Sequence, residues 1–153
     1  MNLFVVSDIH GHLKQFEEML MHWNPEDTLV VLGDLIDRGP QSLQVIEKVI
    51  ELNQTYGDKV VFLKGNHEDM LLNFLNNPTE KQVHYYVNGG LETMQNLLAQ
   101  LPDTTSNESY PVQAEAVKTH FKAQLEFLAT APIHQIIGNV LFTHAGFNSE
   151  FAT

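Results

Sequence analysis

Asp8, His10, Asp34, Asn66, His67 and His144 are of types that bind divalent cations, and each stands just beyond a short apolar run. Leu3-Phe4-Val5-Val6 leads into Ser7-Asp8-Ile9-His10-Gly11, and Leu29-Val30-Val31-Leu32 into Gly33-Asp34-Leu35-Ile36-Asp37-Arg38-Gly39. Val60-Val61-Phe62-Leu63 leads into Lys64-Gly65-Asn66-His67-Glu68, and Val140-Leu141-Phe142 into Thr143-His144-Ala145-Gly146. Apolar runs of this length, bounded by glycine and polar residues, read as buried strands. An open α/β sheet binds its ligand beyond the carboxyl ends of its strands. If the runs are neighbouring strands, the six residues converge on one crevice, a metal site suited to phosphate chemistry.

Asp8 and His10 are two apart, so an extended backbone would point both the same way. A carboxylate with an imidazole suits Mn²⁺, Fe²⁺ or Zn²⁺ better than Ca²⁺. Taken singly, each residue has an ordinary alternative. Asp34 before Gly39-Pro40 could belong to a turn, Asn66 could cap a helix or sit in a turn, and His144 could be a structural histidine. The metal reading rests on all of them occurring together. His12, His22, His84, His120 and His134 lack such a context and read as structural or surface residues. Tyr85 and Tyr86 could line a groove but read first as packing.

The elements that must position these residues follow from periodicity. Strands near residues 3–7, 29–33 and 60–64 alternate with helices whose buried faces hold Leu13, Phe16 and Leu20, then Leu43, Ile46 and Ile50. Pro40 suits the first turn of the second helix. A third helix begins at His67, with Met70, Leu71, Phe74 and Leu75 inward, and stops near Asn77-Pro78. Strand–helix–strand repetition implies right-handed crossovers and a mostly parallel sheet. Residues 79–131 read as an inserted helical cap beside the crevice, with stripes Leu91, Met94, Leu98, Leu101 and Val117, Phe121, Leu125, Leu128. The polar stretch at 103–109 is a turn-rich linker, expected to be mobile. Gly138-Asn139 reads as a two-residue hairpin turn.

With 153 residues, a single domain over 1–153 is expected. The apolar runs are far shorter than the ~20 residues of a membrane span. The N-terminal residues lack a basic flank and read as a strand, not a signal peptide. Absence of cysteine excludes disulfides, zinc–thiolate sites and a thiol nucleophile. A net charge of −11 argues against nucleic-acid or anionic-membrane partners, which need clustered Lys and Arg. Together these point to a cytoplasmic protein.

Asp8-Ile9-His10-Gly11, Gly33-Asp34-Leu35-Ile36-Asp37-Arg38-Gly39, Gly65-Asn66-His67-Glu68 and His144-Ala145-Gly146 stand in the order and spacing of the calcineurin-like metallophosphoesterases. The chain most resembles their phosphoprotein phosphatase branch, especially its small bacterial serine/threonine phosphatases. The resemblance implies an α/β fold of αββα type, a β-sandwich flanked by helices, here with the helical cap and an incomplete second sheet. It implies two divalent ions, Mn²⁺ first and Fe²⁺ or Zn²⁺ as alternatives, held by Asp8, His10, Asp34, Asn66 and His144, with Asp34 bridging. His67 would protonate the leaving oxygen, Asp37 would hydrogen-bond His67, and Arg38 and Asn66 would bind the phosphate. Glu68 would be support. The family's late G-H segment and a downstream arginine have no counterpart after His144, so the C-terminal part of the fold is expected to be missing and the chain to self-associate through the unfinished sheet. The implied activity is hydrolysis of phosphomonoesters, on a phosphoprotein or a small phosphoester. Asp37 and Glu68 favour the protein phosphatases over the dinucleoside polyphosphate hydrolases, which share the fold and the metals but by the resemblance usually lack that aspartate and carry G-N-H-D in the third motif. An incomplete, non-catalytic metal-binding fragment is the reading from another class.

Overall fold

A computed structural model describes residues 2–146. β1 (Leu3–Val6), β2 (Thr28–Val31) and β3 (Val60–Phe62) form a parallel sheet in the order β1-β2-β3. Phe4 pairs with Leu29, and Leu29 with Val60. Leu29, Val30 and Val31 are fully buried. A central parallel strand covered on both faces needs a continuous apolar run, which is why β2 shows no alternation. The parallel register brings the carboxyl ends of all three strands to one edge.

α1 (Leu13–Leu20) and α2 (Ser42–Tyr56) form the crossovers and contact each other. Phe16, Leu43 and Ile46 are buried against the sheet, with Leu13, Leu20 and Ile50 partly so. Pro40 stands two residues before α2 instead of in its first turn. The loop is held there because the Gln41 N–H donates to Gly11 O at 3.0 Å and the Asp37 N–H to Ser42 Oγ at 3.1 Å. α3 (Asn66–Asn76) buries Leu71, Phe74 and Leu75 and ends at Asn77, where Pro78 opens α4 (Pro78–Tyr85). Proline at the first position of α4 lacks only a donor that would have had no partner there.

Residues 79–131 are helical, as periodicity implied, and they pack against the sheet's own helices. α5 (Leu91–Leu98) lies on α2; α6 (Tyr110–His120) and α7 (Lys122–Thr130) lie on α3, and α7 also meets α2. Phe127 stacks on Phe62 of β3 with ring centres 5.3 Å apart. Two stripes differ from expectation. Leu91 is 41% exposed and Leu97 is buried beside Met94 and Leu98. A π-helical turn at Tyr86–Gly90, broken by Gly89 at φ +100°, separates α4 from α5, so the buried face is not the one a continuous helix would give. Val117, Phe121, Leu125 and Leu128 are all buried, but Phe121, at φ −109° and ψ 33°, divides them between two helices. The polar linker closes into one 3₁₀ turn at Asp103–Asn107. Gln113 Nε2 ties it down, donating to the Ser106 and Glu108 carbonyls at 3.0 and 2.9 Å.

β4 (His134–Ile137) and β5 (Val140–Thr143) form the expected antiparallel hairpin, with Ile137 opposite Val140 and Gly138 at φ +63°. The Lys64 N–H donates to Pro132 O at 2.8 Å, anchoring the hairpin beside the end of β3. Among the described residues this pair is all there is of a second sheet, and Ile136 and Leu141 are exposed on it. The expectation of further missing strands concerns chain outside the described residues. No helix among those residues is long and apolar enough to cross a membrane.

Candidate metal centre

Where β1 and β2 end, hydrogen bonding between their continuations does not. Asp8 N–H donates to Gly33 O at 3.3 Å, His10 N–H to Asp34 O at 2.9 Å and Gly11 N–H to Leu35 O at 2.7 Å. Among the described residues, five non-glycine positions have positive φ: Asp8 (55°), His10 (47°), Asp34 (55°), Asp37 (72°) and Arg38 (67°). All five are residues singled out from the sequence. The expectation that extended backbone aligns Asp8 with His10 is therefore corrected. Both are left-handed, and it is this turn, clamped to the loop after β2, that brings His10 Nε2 to 3.6 Å from Asp8 Oδ1.

His10 and His144 are oriented alike. His10 Nδ1 lies 2.7 Å from Ile36 O, and His144 Nδ1 is bonded to Leu32 O. A carbonyl only accepts, so each ring carries its proton on Nδ1 and turns the Nε2 lone pair into the crevice, the arrangement that prepares histidine as a metal ligand. Asp34 is buried, and its Oδ1 accepts the His67 N–H at 3.1 Å. Its Oδ2 then faces three imidazoles, with Nε2 of His144, His10 and His67 at 3.2, 3.8 and 4.0 Å. Asn66 Oδ1 stands 3.0 Å from His144 Nε2.

Among the described residues, two groups have ligand atoms within 4.8 Å of one another: His10, Asp34, His67 and Asp8, Asp34, His144. Asp34 belongs to both. Asp34 Oδ2 and Asn66 Oδ1 stand 3.2 and 3.0 Å from His144 Nε2, and with the ring proton on Nδ1 all three atoms present lone pairs. A second proton on the ring or a cation among the three atoms would relieve this, and a carboxylate, an amide oxygen and an imidazole nitrogen make a donor set that fits a divalent ion, while a carboxylate common to both groups fits two. One group pairs Asp8 with His144, and the other sets His67 beside His10.

His67 is otherwise engaged. Its Nδ1 lies 2.7 Å from Asp37 Oδ2, with both side chains buried. This bond, more than any other influence, raises the His67 pKa above its ordinary value, against burial, which lowers it. Arg38, exposed at the rim, reaches His10 Nε2 with Nη1 at 3.3 Å and His67 Nε2 with Nη2 at 3.4 Å. The guanidinium fork thus sits at the mouth of the crevice, where a phosphate would meet it.

Glu68 is fully buried and accepts three backbone N–H groups, from Asp34 at 2.9 Å, Leu35 at 2.7 Å and Gly65 at 2.8 Å. It fastens the loop after β2 to the start of α3. Burial pushes its carboxyl pKa up, opposed by the three donors. Sequence reasoning missed Thr93 and Ser42, and for Tyr85 it offered packing or a groove but no bond to Asp37. Tyr85 Oη donates to Asp37 Oδ1 at 2.7 Å, as does Thr93 Oγ1, and Ser42 Oγ lies 2.8 Å from Thr93 Oγ1. The sequence did carry a signal: Asn88-Gly89-Gly90 interrupts an otherwise helical pattern, and paired glycines there call for a packing reason. His12, His22, His84, His120 and His134 are all exposed and belong to neither group.

A family model described as calcineurin-like phosphoesterase matches residues 1–151. The chain belongs to the calcineurin-like phosphoesterases. Among its relatives is the asymmetrical bis(5'-nucleosyl)-tetraphosphatase of Anoxybacillus flavithermus, 30% identical over 96% of this chain and 58% of that protein. The serine/threonine-protein phosphatase with EF-hands 2 of Mus musculus is 30% identical over 89% of this chain and 19% of its own length. The symmetrical bis(5'-nucleosyl)-tetraphosphatase of Pectobacterium atrosepticum is 43% identical over 47% of this chain and 25% of its own length. The chain therefore spans little more than half the length of the first of these phosphoesterases and less of the others.

Proposed function

We propose that this chain carries the catalytic centre of a metal-dependent phosphomonoester hydrolase acting on phosphoserine or phosphothreonine. Asp8, His10, Asp34, Asn66 and His144 would hold two divalent ions, with Mn²⁺ the first choice for this carboxylate, amide and imidazole set. Bound there, such ions supply an acidified water and neutralise charge on the phosphoryl oxygens. The protein's own groups do the rest. Arg38 clamps the phosphate oxygens through its planar fork, with Asn66 beside it. His67, held by Asp37, gives the Nε2 proton to the departing oxygen.

The buried Asp37–His67 pair carries the choice of substrate class. A proton donor matters most when the leaving group is a strong base. A serine or threonine alkoxide is one; a released nucleotide phosphate, with a second pKa near ~6, is not. The second reading, a dinucleoside tetraphosphatase, is supported by the 30% identity to the Anoxybacillus flavithermus enzyme across 96% of this chain. The two are separated by Mn²⁺-dependent turnover of a phosphothreonine peptide against diadenosine tetraphosphate. Faster peptide turnover is expected, and preference for the dinucleotide would overturn the first reading.

A further inference from the structure

The α4–π–α5 segment reaches the centre at three points, and none of them touches a candidate metal ligand. Tyr85 and Thr93 meet Asp37, and Gly89 meets Arg38. The first two contacts are buried, since Tyr85, Thr93 and Asp37 have no measurable exposure; the third, of partly buried Gly89 with exposed Arg38, lies at the rim. The directions of the hydrogen bonds follow from the number of protons available. Asp37 Oδ1 takes the Tyr85 and Thr93 hydroxyl protons, both at 2.7 Å. Thr93 has then given its one proton, so its oxygen must accept from Asp37 N–H at 2.9 Å and from Ser42 Oγ at 2.8 Å. Ser42 in turn also accepts from Asp37 N–H at 3.1 Å. No arrow remains free to reverse. Asp37 can only accept, its Oδ2 is aimed at His67 Nδ1 at 2.7 Å, and the His67 proton on Nδ1 is thereby fixed.

The segment is shaped for these contacts. The Tyr85 ring stacks on Phe74, centres 5.2 Å apart, and Gly90 gives it room: a Cβ at Gly90 would overlap the ring. Gly89 takes φ +100°, closed to other residues, and its carbonyl accepts the Arg38 N–H at 2.9 Å. A Cβ there would fall 2.7 Å from Arg38 Cγ. Burial and the adjacent Asp37 carboxylate push the Tyr85 phenol far above its ordinary range, so it remains a donor.

We infer that Tyr85 and Thr93 are positioning residues for the hydrolysis: their hydroxyls lock the Asp37 carboxylate, and through it the orientation and tautomer of His67. This rests on the proposal that His67 donates a proton, and the measurement separates the two. The first readout needs neither metal nor substrate. In the metal-free protein, the downfield proton NMR signal of His67 Nδ1–H reports its bond to Asp37. Tyr85→Phe and Thr93→Val should each shift or broaden it, and Tyr86→Phe, one residue away, should not. Thr93→Ser should restore it. The second readout is turnover of an alkyl phosphomonoester with Mn²⁺. Both variants should lose roughly tenfold or more in kcat, in the range found when partners of active-site ligands are removed, with KM unchanged. An unmoved signal in folded Tyr85→Phe and Thr93→Val would overturn the positioning role. A shifted signal with unchanged kcat would leave positioning intact and overturn His67 as the proton donor.

Discussion

His67→Asn is the substitution that bears most directly on the mechanism. Asparagine is close in size and keeps a donor for Asp37 Oδ2, which now lies 2.7 Å from His67 Nδ1, but it has no proton to give from the position of Nε2. His67 Nε2 is 4.0 Å from Asp34 Oδ2, the longest of the three imidazole approaches, so Mn²⁺ should still bind. Positioned acid–base groups contribute about 10²–10⁴-fold, or about 2.7–5.4 kcal/mol of barrier at 1.36 kcal/mol per decade. That whole loss should appear with an alkyl phosphate and nearly vanish with a nitrophenyl phosphate, whose leaving group needs no proton. The assay is single-turnover hydrolysis across a leaving-group series, with Mn²⁺ binding measured by calorimetry. A loss equal for all leaving groups would refute the acid assignment. So would loss of Mn²⁺ binding, because His67 would then be a ligand, as its grouping with His10 and Asp34 allows.

Other expectations follow from the same geometry. Saturating Mn²⁺ should stabilise the protein by about 2.7 kcal/mol at a hundred times Kd, and Asp34→Asn, which alters the carboxylate common to both groups, should abolish the shift in thermal melts. Gly33→Ala should destabilise by several kcal/mol in urea titrations. Gly33 sits at φ +82°, and a Cβ would lie 2.5 Å from Gly65 N, joining backbone strain of ~1–2 kcal/mol to a clash the parallel sheet cannot relieve. Unchanged stability would mean that the loops are less tightly coupled than their hydrogen bonds indicate. At high pH, Tyr86 should act as a brake: burial raises its phenol from 10.0 to about 12. The neutral form is the one the fold favours, so its contribution is complete below pH 10 and is lost as pH rises through about 12. Urea midpoints should fall across that window, and less steeply in Tyr86→Phe.

The strands, their parallel order and the crossover helices were legible because each run had one period and an unambiguous boundary. The crevice was legible too, since a parallel sheet brings its strand ends to one edge whatever the loops do. The loops themselves were not. Asp8, His10 and Asp34 look like ordinary polar residues in extended or turn sequence, and nothing in their identity announces a left-handed backbone. Tyr85 and Thr93 were hidden for another reason. They lie 48 and 56 residues from Asp37, and only the π-helical turn, which shifts the helical phase between them, brings both hydroxyls to one carboxylate oxygen.

Left-handed conformations at five non-glycine positions cost about 1–2 kcal/mol each, less for Asp and His than for most residues. Such strain survives only where surrounding contacts over-determine it, and the constraints are visible here. Glu68 holds Asp34 N–H and Leu35 N–H, the Asp34 and Leu35 carbonyls hold His10 and Gly11, and Gly89 O holds Arg38. Glycine at any of the five would relax the backbone but remove a group that faces the crevice or, at Asp37, the carboxylate that holds His67. Strain and chemistry therefore occupy the same residues, and the buried network around Asp37 and Glu68 is the condition for both. A fold stabilised only by its sheet and helices would have no reason to keep a fully buried glutamate against its desolvation. The loops of this centre give it three, one for each backbone N–H that it accepts.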